Sequence, residues 1–173
     1  YGSCQARGAF GIGMLLDVSG DDRYSGGKGC QGSGIGGVGI LEDRKGNDRY
    51  ESELGSQGFG LVGIGLLSDW EGDDEYQGDL LVQGAAGPGG VGILRDGSGS
   101  DRYEAGGRYA DFREDGAFTQ SMAQGFGLGI RPLASGGLGI LFEMEGDDIY
   151  DAGYFAQGSA HWAGAGLLID RMG

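Results

Sequence analysis

The chain has one threonine, one histidine, two prolines and two cysteines in 173 residues, and each scarcity closes a class of explanation. Thr119 by itself cannot make the regular threonine array that ice binding needs. With His161, Cys4 and Cys30 as the whole histidine and cysteine complement, no zinc signature can be written, and no nucleophile motif is present either. Two prolines beside 43 glycines, with no glycine at every third position, exclude collagen. Bases are also few, 12 against 26 acids. The resulting net charge of −14 repels phosphate backbones and anionic lipid, so nucleic acid is not an expected partner. No run of about 18 apolar residues offers a membrane-spanning segment, and no targeting sequence is visible. The chain begins without methionine and stops partway through a repeat at Gly173. It therefore reads as a piece of a longer array, with an extracellular or cell-envelope setting expected.

What is present is order of a repetitive kind. A hydrophobic content of 39% with 10% aromatics is too high for simple disorder. One unit recurs, of the form Gln-Gly, then Gly-x-Gly-x-Leu, then Asp-x-x-Gly-x-Asp-x-Tyr. Gln5, Gln31, Gln57, Gln83, Gln124 and Gln157 fill its first slot. A first acid slot holds Asp17, Asp43, Asp69, Asp96, Glu143 and Asp170; a second holds Asp22, Asp48, Asp74, Asp101 and Asp148. Two residues after the second acid come Tyr24, Tyr50, Tyr76, Tyr103 and Tyr150.

Steps of 26 residues between the first glutamines suit a three-sided coil, and the expected fold is all-β: a right-handed parallel β-helix of roughly six coils in a single domain. One strand is expected where Val38 and Ile40 alternate with Gly37 and Gly39 at the strand period of two. A second is expected through Asp-x-Tyr and a third through Gln-Gly. Almost no helix is expected. Equal slots should stack at about 4.8 Å, making ladders of glutamine amides that satisfy one another and ladders of tyrosine rings. The glycines before the aliphatic strand form a stripe that faces either outward, open to a neighbouring backbone, or inward, making room for bulk opposite. Cys4 and Cys30 share a slot in adjacent coils, which permits a disulfide or two stacked thiols.

The acid rows carry the chemistry. Like charges one coil apart repel unless protonated, neutralised or bridged by a cation. Asp17, Asp22, Asp43, Asp48, Asp69, Asp74, Asp96, Asp101 and Asp148 are thus candidate ligands for Ca²⁺, a hard ion that takes six to eight oxygens. The competing account makes Asp-x-x-Gly a type I turn whose aspartate holds its own backbone, with Arg23, Arg49 and Arg102 supplying neutralisation. Gly-Asp-Asp-x-Tyr resembles the Gly-x-Asp portion of RTX-type calcium-binding repeats, where glycine-rich turns and aspartates of adjacent coils surround the ion. Over nearly its whole length the chain also resembles bacterial Gly/Asp-rich repeat proteins with Gly-Asp-Asp-x-Tyr and Gln-Gly motifs. That resemblance implies a β-solenoid and brings no catalytic residues.

Two interruptions stand out. Tyrosine and the next glutamine are 7 residues apart in four units but 21 apart between Tyr103 and Gln124. The segment 104–122 so inserted contains Arg108, Tyr109, Asp111, Phe112, Arg113, Glu114, Asp115 and Phe118. A second insertion, 128–136, contains Arg131 and Pro132, and the next coil brings His161 and Trp162 to a similar position. Arg108, Tyr109, Asp111, Arg113, Arg131, His161 and Trp162 are the expected binding residues. The expected function is a noncatalytic structural or interaction module in a surface or filament-type assembly, partnered by neighbouring solenoid repeats, by end-to-end self-association, or by a glycan or protein. The alternative is a carbohydrate-active enzyme, a polysaccharide lyase or hydrolase, working at the insertions.

Overall fold

A computed structural model describes residues 4–113 and 118–173 of the chain. These residues form sixteen short strands and no helix, and every strand-to-strand pairing is parallel. The fold is a β-solenoid of about six turns. One wall stacks Ile12–Leu16, Val38–Glu42, Ile64–Ser68, Val91–Arg95, Leu138–Glu143 and Ala165–Asp170 in an unbroken row. A second stacks the tyrosine strands Arg23–Ser25, Arg49–Glu51, Glu75–Gly78, Arg102–Ala105 and Ile149–Ala152. In both walls the register joins residues of the same slot, as in Val38 to Ile64 and Tyr50 to Tyr76.

The third wall corrects the expectation. Gln-Gly is a corner, with both residues left-handed: Gln31 and Gly32 have φ of 52° and 73°, and the other described pairs from Gln57 onward repeat this. The strand begins two residues after the glycine, in two-residue pieces such as Gly34–Ile35 and Gly60–Leu61. A left-handed non-glycine residue is uncommon and needs local support. Here the side chain provides it. Gln31 Nε2 donates to the main-chain carbonyls of Tyr24 at 2.8 Å and Glu51 at 2.9 Å, one in its own coil and one in the next. Gln57, Gln83 and Gln124 repeat the pair. The expected amide-to-amide ladder is therefore replaced by a clamp from each corner to two tyrosine strands.

The glycine stripe faces inward. A methyl placed on Gly39 would lie 2.1 Å from the carbonyl oxygen of Ser33, and one on Gly65 would lie 2.1 Å from that of Phe59. At this end of the coil two walls touch backbone to backbone, leaving no room for a side chain. Two residues along the same strands the walls separate and the inward positions become Leu41, Leu67, Leu94 and Leu141, all fully buried. They pack against the tyrosines, whose rings stack with centroids 4.8 to 5.0 Å apart. Cys4 and Cys30 are joined in a disulfide. The two insertions leave the coil as small loops, each with an antiparallel bridge, Ala110 to Thr119 and Ile130 to Ala134. Among the described residues, no helix is long and apolar enough to cross a membrane.

Candidate metal centre: an interior column of carboxylates

Both acid rows lie inside the solenoid at the turn between the aliphatic and tyrosine walls. Local chemistry explains how each is held. At Asp69 and Glu143 the first acid does what an Asp-x-x-Gly turn asks of it: Asp69 Oδ1 accepts from the Trp70 N–H at 2.7 Å, and Glu143 Oε1 from the Met144 N–H at 2.9 Å, whereas Asp96 Oδ1 lies buried without a partner. Its other oxygen takes the tyrosine hydroxyl of the preceding coil, as Tyr24 to Asp43 at 2.5 Å, Tyr50 to Asp69 at 2.6 Å and Tyr76 to Asp96 at 2.5 Å. The turn closes on glycine for two reasons. Gly46 has φ of 150°, and a methyl there would meet the Gly20 carbonyl oxygen at 1.5 Å.

The second acid bonds along the axis. Oδ1 of Asp48, Asp74, Asp101 and Asp148 accepts the N–H of the equivalent aspartate one coil earlier, at 2.6 to 2.8 Å. The residue just before it forms a companion ladder in the opposite sense, in which Asp21, Asn47 and Asp73 accept from the next coil. One oxygen of each second acid is left over. Oδ2 of Asp48, Asp74, Asp101 and Asp148 is buried without a hydrogen-bond partner, and Asp48, Asp74 and Asp101 are at most 2% exposed. A buried polar atom in that state is costly, and a charged one more so.

The two rows meet in four clusters: Asp17, Asp22 and Asp43; Asp48, Asp69 and Asp74; Asp74, Asp96 and Asp101; and Asp101, Glu143 and Asp148. Within each, one oxygen from every carboxylate lies within 4.8 Å of the others. Electrostatics follow directly. Burial, and behind it the charge of Asp69, pushes Asp74 up to about 9. Burial likewise raises Asp101 to about 8, Asp48 and Glu143 to about 7 and Asp69 to about 6, against backbone or tyrosine hydrogen bonds that pull down. Asp96, Asp22 and Asp148 are raised for the same first cause. All nine aspartates expected as ligands thus fall in the clusters. Glu143 joins them; it shared their slot, and its place in the column follows from that slot rather than from its side chain.

The arginines do not neutralise this column. Arg23, Arg49 and Arg102 alternate with the tyrosines, so they point outward and pair with Glu51, Glu75 and Glu104 on the surface. That expectation fails because strand alternation sends neighbours of an inward tyrosine to the other face.

The insertions form a separate region. Arg113, Arg131 and His161 line one cavity of about 340 Å³ with Phe112, Phe126 and Phe155. Trp162 sits beside it, with the Arg131 guanidinium 5.0 Å from its ring centroid. Arg108 and Tyr109 turn away instead, to Glu53 and Asp79. Asp111 is buried and held by Arg113, which lowers its pKa. Glu114 and Asp115 lie outside the described residues. No protein-family model, curated protein or solved structure matches the chain.

Proposed function

We propose that this chain is a noncatalytic structural or interaction module, an acidic rod whose interior column takes divalent cations, in a surface or filament-type assembly. The observation that carries this reading is the row of unpartnered, buried Oδ2 atoms in Asp48, Asp74, Asp101 and Asp148. Calcium suits the donors best. They are all oxygens, and a spread of 4.8 Å or less matches ligands lying about 2.3–2.6 Å from a shared ion. Zinc prefers nitrogen and sulfur, which these clusters lack. Charge agrees as well, since four divalent ions would offset eight of the ten carboxylates in the clusters. Asp43, Asp48, Asp69, Asp74, Asp96, Asp101 and Glu143 are buried, out of reach of a substrate. That favours a load-bearing role over a catalytic one. The disulfide favours an oxidising, extracellular setting.

The test is thermal melting with EDTA and with millimolar calcium near pH 8. A bound ion in excess stabilises by about 2.7 kcal/mol when present at a hundred times its dissociation constant. An unchanged midpoint rejects the ion. The alternative, a carbohydrate-active enzyme, draws on the meeting of Arg131 and His161 in one cavity. Depolymerisation of an anionic polysaccharide, lost in R131A and H161A variants that fold normally, would reverse the ranking.

A further inference from the structure

The inward glycines and leucines of the aliphatic wall decide what its outer face presents. Outward come Ile12 and Met14, Val38 and Ile40, Ile64 and Leu66, Val91 and Ile93, Leu138 and Ile140, Ala165 and Leu167. The burial alternates accordingly, with Gly39 and Leu41 buried and Val38 and Ile40 partly open. Ile12 is 81% exposed, Met14 61% and Ile64 46%. These are twelve apolar positions in six rows on one continuous parallel sheet, with no charged or polar side chain among them. Charge begins only beyond them, at Glu42 and at Arg95, which lies over Trp70 with 3.8 Å from guanidinium to ring centroid.

The tyrosine wall is an internal control. It has the same parallel stacking, but its outward positions are Arg23 and Ser25, Arg49 and Glu51, Glu75 and Gln77, Arg102 and Glu104, and Ile149 and Asp151, with ion pairs between rows at Arg23–Glu51 and Arg49–Glu75 and within rows at Arg49–Glu51 and Arg102–Glu104. One wall of the chain thus carries the charged, solvated surface expected of an open sheet, and the other does not. A contiguous apolar face of that kind marks a contact surface.

We propose that this face pairs with the same face of a second copy, sheet against sheet at a separation of about 10 Å, so that rods associate side by side. The inference deepens the assembly reading above by naming its contact surface, and it holds whether or not the column binds cations. Charge constrains where two copies can meet. Two chains of net charge −14 repel, and this face lets them meet without bringing like charges together. Shape agrees, because ridges one strand apart, at about 4.8 Å, are matched row for row by a sheet of the same pitch. Six strands span about 24 Å, and with two outward residues per strand the face offers on the order of 500 Å² per copy. Two such faces bury on the order of 1,000 Å², the lower end of specific interfaces, so the pairing is weak, with a dissociation constant in the micromolar range or above.

Sedimentation velocity of the full chain from about 1 to about 200 µM reads this directly. The expected result is a monomer–dimer equilibrium that moves to monomer in an I64K/I93K double variant and stays put in Q77K on the tyrosine wall. Circular dichroism and melting establish that both variants fold; should the double variant fail to fold, I64S/I93S takes its place. Wild-type chain that remains monomeric to the top concentration overturns the pairing, and so does a dimer that survives the double variant, which would put the contact at the coil ends instead. Calcium dependence of the melt is a separate readout, so loss of the cation reading and loss of the pairing are told apart.

Discussion

The two ends of each coil solve the same packing problem by opposite means. At the glycine end the walls touch through bare backbone: Gly39, Gly65, Gly92 and Gly139 face carbonyl oxygens of the opposite wall, with no side chain between. At the acid end the walls stand apart, and leucine, tyrosine and two rows of carboxylates fill the gap. The first arrangement is purely steric and indifferent to solution conditions. The second leaves charge inside, so its stability depends on protons or cations. A single chain therefore pairs an end that tolerates no substitution with an end that responds to its surroundings.

The largest effect should come at the steric end. Gly65→Ala places a methyl against the Phe59 carbonyl, a backbone atom that cannot swing aside. We expect a loss of at least about 4 kcal/mol, or no cooperative melt at all. A mild effect would mean that the walls can part, and the contrast would collapse.

At the acid end the expected variable is pH. The raised carboxylates bind more protons in the folded than in the unfolded chain. Their stabilisation is complete below the ordinary carboxylate range near 4 and is lost as pH rises through about 6 to about 9. In EDTA, then, the melting midpoint should fall between pH 5 and pH 9, by about 10 °C or more, and millimolar calcium should restore most of it at the upper pH. A midpoint flat with pH in EDTA contradicts the buried column.

Asp74→Asn sharpens the contrast, because it removes a carboxyl that burial pushes up to about 9 while retaining an acceptor for the Asp48 N–H. In EDTA at pH 8 it should stabilise by roughly 1–2 kcal/mol. In calcium it should destabilise, since two clusters share this residue. The sign change between the two conditions is the measurement. The smallest effect is expected from Tyr76→Phe, which strips one donor from Asp96 and should cost about 1 kcal/mol at pH 8 in calcium.

Much of this was legible in the sequence. The tyrosines, the acids and the aliphatic pairs were assigned to rows from their spacing, and the rows stand as assigned, down to the register of Tyr50 on Tyr76. The same spacing brought the nine candidate aspartates into the four acidic clusters. The glutamines were misread because their donors reach main-chain carbonyls seven residues back and one coil ahead, partners that no side-chain pattern lists. Grouping Arg108 with Arg131 failed for a similar reason: Arg108 turns to Glu53 and Asp79, acids of other coils that its own loop sequence does not reveal.

By itself, the order of residues determined the period, the parallel stacking and the tyrosine, aliphatic and acid rows, since a fixed repeat in a parallel solenoid puts equal slots above one another. Tertiary structure alone decided which side of the aliphatic strand is inside. Alternation says only that glycine and valine face opposite ways, and the choice rests on the opposite wall, whose carbonyls approach too closely for any side chain. From that one choice follow both the outward apolar face and the width of the acid end, where five carboxylate oxygens, Asp96 Oδ1 and the Oδ2 of Asp48, Asp74, Asp101 and Asp148, remain buried without a partner.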